Sequence, residues 1–267
     1  MKHNEQMNHS EQGVFLIKEL LAEDTRYQAV SIPSDEKEQK ALLRSLMNVR
    51  MPRPVSPDFL RVQDAYLQQE RDLRGIVDSD DLEPVPSDSR IVLWQGDITT
   101  LKADAIVNAA NSAMLGCFHP FHSCIDNIIH SRSGIQLRLL CNDIMIKQGH
   151  EEPVGEAKIT PAFNLPSRYI LHTVGPIIAG RVSREDQRLL ASCYRSCLKL
   201  AVENDCRSIA FCCISTGEFH FPNDLAAEIA VTTVRDYLNR TGESIRVIFN
   251  VFKDVDLHIY QKLLEVK

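Results

Sequence analysis

Cysteine and histidine side chains are concentrated in one short segment of the 267-residue chain. Cys117, His119, His122 and Cys124 lie within eight residues, in a segment that Pro120 keeps irregular. Thiolate sulfur and imidazole nitrogen are ligands that zinc prefers in proteins. The spacing therefore predicts a zinc site in this segment. The competing interpretation makes the two cysteines small buried residues and the two histidines surface residues.

The number of ligands decides what such a zinc could do. Four protein ligands would close the coordination sphere and make the site structural, whereas three would leave a position open for water or a substrate. Four ligands so close together in sequence are sterically awkward, so we favour three. His119 directly precedes Pro120, which favours an extended conformation, and it is the residue that we leave out.

Polar or small residues also follow other predicted strands. Asp97 comes after the first strand, and Asn108 and Asn111 enclose two alanines after the second. These side chains either cap turns or contact a ligand. Phe252 ends the last strand, where it either joins the core or stacks on a flat ligand. The six cysteines outside the zinc segment are interpreted as packing residues.

A further loop lies between a strongly apolar strand and a helix. Its backbone N–H groups and the helix N-terminus could bind an anion, although a plain turn has the same pattern. The chain has no Walker lysine and no GxGxxG motif to strengthen the anion interpretation. The loop residues are Ser215, Thr216, Gly217, Glu218 and Phe219.

A sheet is needed to bring these loops together. Beyond residue 90, short β-branched segments alternate with longer helical ones, which is typical of an α/β sheet with helices on both faces. Ligands of such sheets bind at the carboxyl ends of the strands. The strands are predicted at 91–94, 105–107, 169–174, 208–214 and 246–252. The helices are predicted at 125–147, 185–204 and 223–238.

The first part of the chain has a different character. Apolar spacing and helix-start signals predict three helices, followed by an acidic, Pro/Ser-rich stretch with the composition of a linker. We therefore divide the chain into an N-terminal helical cap, residues 1–85, and an α/β domain, residues 86–267.

Composition excludes several classes of protein. A hydrophobic fraction of 44% is typical of a globular protein with a full core. The net charge of -6 comes from 30 Lys+Arg and 36 Asp+Glu, without the basic excess that binding a phosphate backbone needs. There is no apolar run long enough for a membrane span and no apolar core of a signal peptide. We expect a cytoplasmic protein that binds neither nucleic acid nor membranes.

Taken in order, the motifs resemble those of macrodomains, the ADP-ribose-binding fold. They span residues 90–255, so the N-terminal helices lie outside the resemblance. The resemblance implies a three-layer α/β/α macrodomain with a mixed sheet and an N-terminal helical extension. The matching segments are 96–99, 105–111, 125–130, 155–160, 172–176 and 215–217.

One departure from the common hydrolytic macrodomains concerns the zinc segment. Those proteins have a run of glycines before the equivalent of Asp126, whereas this chain has the segment 117–124 there. In this respect the chain is similar to the zinc-dependent macrodomain subgroup. That resemblance implies Cys117, His122 and Cys124 as the zinc ligands and leaves His119 out.

The resemblance also implies a role for each remaining motif. Asp97 and the backbone of Ile98 would bind adenine, on which Phe252 would stack. Asn111 would hold the distal ribose, and Asp126 would orient a water molecule or accept its proton. The diphosphate would lie in the loop of Ser215, Thr216, Gly217, Glu218 and Phe219.

The implied activity is that of a zinc-dependent protein mono-ADP-ribosyl hydrolase, which removes ADP-ribose from an acidic side chain of a modified protein. The implied target is a lipoyl-carrier protein modified by a sirtuin-like transferase. The alternative is a reader module, which binds ADP-ribose without cleaving it and keeps a structural zinc. The zinc segment and Asp126 favour the hydrolase, because a reader needs neither.

Overall fold

The structure is a computed structural model and describes residues 7–266. Within this range, no helix combines the length and the apolar character that crossing a bilayer requires. The α-helices are α1 (His9–Ala22), α2 (Glu36–Val49), α3 (Pro57–Arg74), α4 (Ile125–Ser133), α5 (Ile135–Gln148), α6 (Arg184–Glu203), α7 (Asn223–Thr241) and α8 (Asp254–Leu264). The strands are β1 (Val77–Asp78), β2 (Pro84–Val85), β3 (Asp88–Gln95), β4 (Leu101–Lys102), β5 (Ala105–Ala109), β6 (Ala157–Pro161), β7 (Tyr169–Thr173), β8 (Ser208–Phe211) and β9 (Arg246–Val251).

A seven-stranded mixed sheet forms the centre of the fold, in the order β2-β3-β9-β8-β5-β7-β6. The five inner strands are parallel, and β2 and β6 pair antiparallel at the two edges. Helices α6, α7 and α8 pack in sequence on one face, and α4 and α5 cover the other. The predicted three-layer α/β/α fold is confirmed. Because the inner strands are parallel, their carboxyl ends meet at one edge of the sheet.

The N-terminal helices have a hydrophobic core of their own. Each begins at a residue whose side chain accepts a hydrogen bond from the first turn, namely Asn8, Asp35 and Ser56. Ile135 of α5 joins this core and connects it to the rest of the chain. The buried apolar residues that α1, α2 and α3 contribute are Leu16, Ile17, Leu20, Leu43, Leu46, Met47, Phe59, Val62, Tyr66 and Leu67.

The acidic stretch after α3 differs from the free linker that its composition suggests. Strand β1 pairs with β4, and β2 forms one edge of the main sheet. Val85 is buried there. The sequence pattern missed these strands because each is only two residues long, too short to show alternation.

The helix predicted at 125–147 is wrong in one respect, because it is two helices. Gly134 separates α4 from α5 with φ of 106°, a conformation that L-residues rarely adopt. An isolated glycine in a helical pattern is a weak breaking signal, so the sequence did not reveal the interruption. Strand β6 and helix α8 were also missed.

We expect Gly134→Ala to lower the free energy of unfolding by about 1–3 kcal/mol, because a residue with a Cβ is strained at this positive φ. That Cβ would lie 2.5 Å from Gln136 Oε1 and 2.8 Å from Gln63 Nε2, which are hydrogen-bonded to each other. The control is Gly149→Ala, at φ of 75° with open space around the added atom. Chemical denaturation measures both variants. Equal losses would contradict the steric part of this explanation.

Candidate functional site

A cleft of about 520 Å³ lies at the carboxyl edge of the parallel strands. Its volume is within the range of about 300–1,000 Å³ that is usual for small-molecule sites. The residues that follow β3, β5, β8 and β9 line it, together with the cysteine-containing loop and the start of α4. The structure therefore brings together every residue that the sequence predicts for the site.

The loop between β5 and α4 carries a group of potential metal ligands. The ligand atoms of Cys117, His122 and Cys124 all lie within 4.8 Å of one another, and Cys117 Sγ is 3.6 Å from His122 Nδ1. A tetrahedral zinc with ordinary bond lengths separates sulfur and nitrogen by about 3.6 Å, so the group fits zinc. His119 is exposed and lies outside the group; its Nδ1 is 3.1 Å from the carbonyl oxygen of Pro120.

Two contacts support these ligands from outside. His122 Nε2 lies 3.4 Å from a carboxylate oxygen of Glu218, so the ring nitrogen that faces away from Cys117 has an acidic partner. Such partners fix the orientation of ligating histidines. Cys124 is the N-cap of α4, and its Sγ accepts a hydrogen bond from the Asn127 N–H. Burial raises the pKa of the Cys124 thiol to about 12.

Asp126, in the first turn of α4, lines the cleft next to the metal ligands and is otherwise buried. Its Oδ1 accepts from Asn108 Nδ2 at 2.8 Å, and its Oδ2 accepts from Asn111 Nδ2 at 3.4 Å. Burial raises the pKa of Asp126 to about 6, against the opposing effects of the Asn108 hydrogen bond and the Arg138 charge. A carboxyl group with such a pKa suits proton transfer near neutral pH.

A second group of potential ligands, His130, Cys141 and His172, is buried beneath Asp126. Both nitrogens of His172 already have partners, with Asn108 Nδ2 at 3.2 Å and Thr160 Oγ1 at 2.9 Å. His172 is therefore a hydrogen-bonded core residue. Burial also lowers the pKa of His172 to about 4, so its ring is neutral. Of the two groups, Cys117, His122 and Cys124 are the one that lines the cleft.

The end of the cleft formed by β3 and β9 contains the residues predicted to bind adenine. Asp97 Oδ1 accepts from the N–H and hydroxyl of Thr99, and Oδ2 pairs with the guanidinium of Arg132. Burial opposes ionisation of Asp97, but these partners hold its pKa below the usual value. Ile98 is buried beside the cleft, and Phe252 is 74% exposed at its rim. This exposure excludes a core role for Phe252.

The loop after β8 forms the middle of the cleft. Ser215 has φ of 65°, and its buried Oγ has no hydrogen-bond partner among residues 7–266. The bond from Ile178 N–H to the Phe219 carbonyl, at 2.8 Å, and that from Phe221 N–H to the Ser215 carbonyl, at 2.9 Å, fix the loop. Thr216, Gly217 and Glu218 also line the cleft.

We expect Gly175→Ala to weaken binding of ADP-ribose, the ligand that the macrodomain resemblance implies, by about tenfold. The added Cβ would lie 1.9 Å from Ser215 Oγ and 2.9 Å from Ile214 Cγ2, which forces the Ser215 loop to move. Overpacking of this kind costs about 1–3 kcal/mol, and about 1.4 kcal/mol is a tenfold change in affinity. Gly180→Ala, where nothing lies within 4 Å of the added atom, is the control. Calorimetry measures both; equal affinities would contradict the prediction.

Several features of the site were not predicted. Asn108 neither caps a turn nor lines the cleft; it is completely buried and donates to Asp126. Cys212 and Cys213 line the cleft although they were interpreted as packing residues only, because β8 ends before them at Phe211. Arg132, which contacts Asp97 in the cleft, was also missed. The polarity of a side chain does not indicate which distant residue it will contact.

Known proteins resemble this chain in sequence. The Macro domain family matches residues 107–230. A protein-ADP-ribose hydrolase from Treponema medium is 56% identical over 260 residues, covering 97% of this chain and 100% of the relative. The chain belongs to the Macro domain family. A second relative, a protein-ADP-ribose hydrolase of Staphylococcus aureus strain MSSA476, is 51% identical, and the match covers 93% of each chain.

Solved macrodomain structures resemble the chain in fold as well. The Trypanosoma brucei macrodomain in complex with ADP-ribose aligns with a TM-score of 0.65 and 32% identity, over 83% of this chain and 94% of that one. An Oceanobacillus iheyensis macrodomain with ADP aligns with a TM-score of 0.60 and 36% identity, over 66% of this chain and 90% of that one. Both structures contain an adenosine diphosphate group.

Proposed function

We propose that this macrodomain is a zinc-dependent protein mono-ADP-ribosyl hydrolase that releases ADP-ribose from an acidic side chain of a modified protein. The observation that carries the proposal is the position of the metal-ligand group, which lines the same wall of the cleft as Asp126. The names of the Treponema and Staphylococcus relatives support the hydrolase part of it.

The predicted ligand-binding residues of the cleft each have a task in this proposal. Asp97 and the backbone of Ile98 bind adenine, and Phe252 stacks on it. Although Thr99 and Arg132 contact the Asp97 carboxylate, its two oxygens have capacity for a further donor. Asn111 holds the distal ribose. The diphosphate lies against Ser215, Thr216, Gly217, Glu218 and Phe219, whose N–H groups supply partial positive charge.

Cys117, His122 and Cys124 hold the zinc. A zinc with one open position polarises a sugar oxygen or makes bound water more acidic. Hydrolysis adds water across the bond between the distal ribose and the carboxyl group: the ribose takes the hydroxyl, and the protein side chain leaves as a carboxylate. The remaining proton needs an acceptor, and Asp126, held by Asn108 and Asn111, is the buried carboxylate beside the ligands.

The two finer parts of the proposal concern the substrate and the domain organisation. The family resemblance alone suggests a lipoyl-carrier protein, modified by a sirtuin-like transferase, as the target. We further propose that the chain is divided into an N-terminal helical cap, residues 1–85, and a macrodomain, residues 86–267, with strand β2 at the end of the cap pairing onto the edge of the macrodomain sheet.

The test is release of ADP-ribose from a protein mono-ADP-ribosylated on acidic residues. The protein is assayed as purified, after chelation and after zinc is restored, and a lipoyl-carrier substrate is a parallel arm. We expect release that chelation abolishes and zinc restores. A substrate linked through arginine is the control for the linkage and should not be cleaved. Binding of ADP-ribose without release in any arm would overturn the hydrolase and support the reader module.

A further inference from the structure

The metal loop, residues 115–124, is held by side chains of the N-terminal extension. Arg44 of α2 donates from one guanidinium nitrogen to the His122 carbonyl and to Asn127 Oδ1, both at 3.1 Å. The acceptor in the first bond belongs to a proposed zinc ligand. The acceptor in the second is a side chain that itself donates to the His119 carbonyl at 2.9 Å.

Asn48, one turn further along α2, makes a second connection. Its Oδ1 accepts from the Phe121 N–H at 3.1 Å, and its Nδ2 donates to Ser131 Oγ of α4 at 2.8 Å. The side chain is buried and bridges the loop and the helix that follows it. Asn48 and Arg44 therefore bind the backbone of two consecutive loop residues, Phe121 and His122.

Arg138 of α5 connects the end of α2 to the start of the loop. Its guanidinium donates to the carbonyls of Asn48 at 2.9 Å and Arg50 at 2.6 Å. It also donates to the Leu115 carbonyl at 2.6 Å and stacks on the Phe118 ring at 4.1 Å. One buried cation thus joins the carboxyl end of α2 to the loop.

The loop has little regular structure of its own. Between residues 117 and 124, the internal backbone bond is from the His122 N–H to the His119 carbonyl, at 3.3 Å. Side chains of α2, α4 and α5 make most of its other backbone contacts, and Asn111 adds a hydrogen bond to the Gly116 carbonyl at 3.2 Å, so these three helices largely determine the position of the ligands. Groups that orient metal ligands from outside change metal affinity by about 10- to 100-fold when removed.

We propose that helix α2 is part of the metal site and that Arg44 and Asn48 are positioning residues, which hold the loop in its metal-binding conformation. This inference rests on the proposed zinc site. The N-terminal extension then has a role in metal binding, because its helix α2 positions the ligand loop.

The test measures zinc affinity in the full-length protein by competition with a chromophoric chelator. We expect Arg44→Met and Asn48→Ala to weaken zinc binding by about 10- to 100-fold each. Arg44→Lys, which keeps a charged donor but not the planar fork, should recover part of the loss. ADP-ribose affinity should stay near that of the wild type, because the adenine and diphosphate subsites do not contact α2.

The matched control separates positioning from stability. Leu16→Ala creates a cavity in the core of the extension at a fully buried residue of α1, and it should lower Tm but leave zinc affinity unchanged. Wild-type zinc affinity in the α2 variants, or equal zinc loss in Leu16→Ala, would overturn the inference and leave the zinc site intact. Failure of the wild type to bind zinc would instead remove the proposed function itself.

Discussion

Asp126→Asn is expected to reduce the turnover number about 100- to 10,000-fold, the range that general acid–base groups contribute. The amide keeps the shape of the side chain and can still accept the hydrogen bond from Asn108. It cannot accept a proton. We expect ADP-ribose affinity to fall far less than the turnover number, because the adenine and diphosphate subsites lie in the loops after β3, β8 and β9, and only Asn111 loses an acceptor.

Asp143→Asn is the matched control, because it makes the same change of charge at an exposed position of α5. Single-turnover release of ADP-ribose gives the rate, and calorimetry gives the affinity. Wild-type turnover in Asp126→Asn would show that another group accepts the proton. Asp126→Ala is less informative, since it also leaves the buried amide of Asn108 without its acceptor.

Cys124→Ser is expected to remove zinc from the protein and to abolish release of ADP-ribose. Serine is a good N-cap residue, so the hydroxyl replaces the thiol as acceptor for the Asn127 N–H and preserves the start of α4. It does not replace a thiolate as a zinc ligand. Metal analysis should therefore fall from about one zinc per chain to none while circular dichroism is unchanged.

His119→Ala distinguishes an open metal site from a closed one. We expect this variant to keep its zinc and its activity, because the exposed His119 ring lies outside the ligand group. Loss of zinc equal to that of Cys124→Ser would make His119 a fourth ligand. The zinc would then have no open position, which is the arrangement expected of a reader module. The control for Cys124→Ser is Cys141→Ala, which removes the thiol of a buried cysteine of α5 and should leave the zinc in place.

The residues of the site were predictable where they follow a strand. Asp97, Asn111, Ser215 and Phe252 lie at the carboxyl ends of different strands, and parallel pairing alone brings such positions together. The cysteine-containing loop was predictable because its ligands are close in sequence. Position after a strand and close spacing of ligands can both be read from neighbouring residues. The fold is needed only to bring the separate loops together.

The contacts that orient the site could not be predicted in the same way. Arg44 meets the His122 carbonyl across 78 positions of sequence, and Arg138 meets carbonyls of α2 that are 88 to 91 positions away. A backbone carbonyl is present at every residue, so no pattern of residue types marks which one a guanidinium will contact. The break at Gly134 was similarly hidden, because it depends on φ rather than on polarity.

The two edge strands of the central sheet, β2 and β6, both contain a proline. Pro84 lies in the two-residue strand β2 at one edge, and Pro161 ends β6 at the other. Proline has no N–H to offer to an incoming strand, and β2, with two residues, gives such a strand little length to pair with. The sheet that presents the cleft is thereby protected against growth by addition of another chain, which lowers the risk of aggregation when the protein is concentrated.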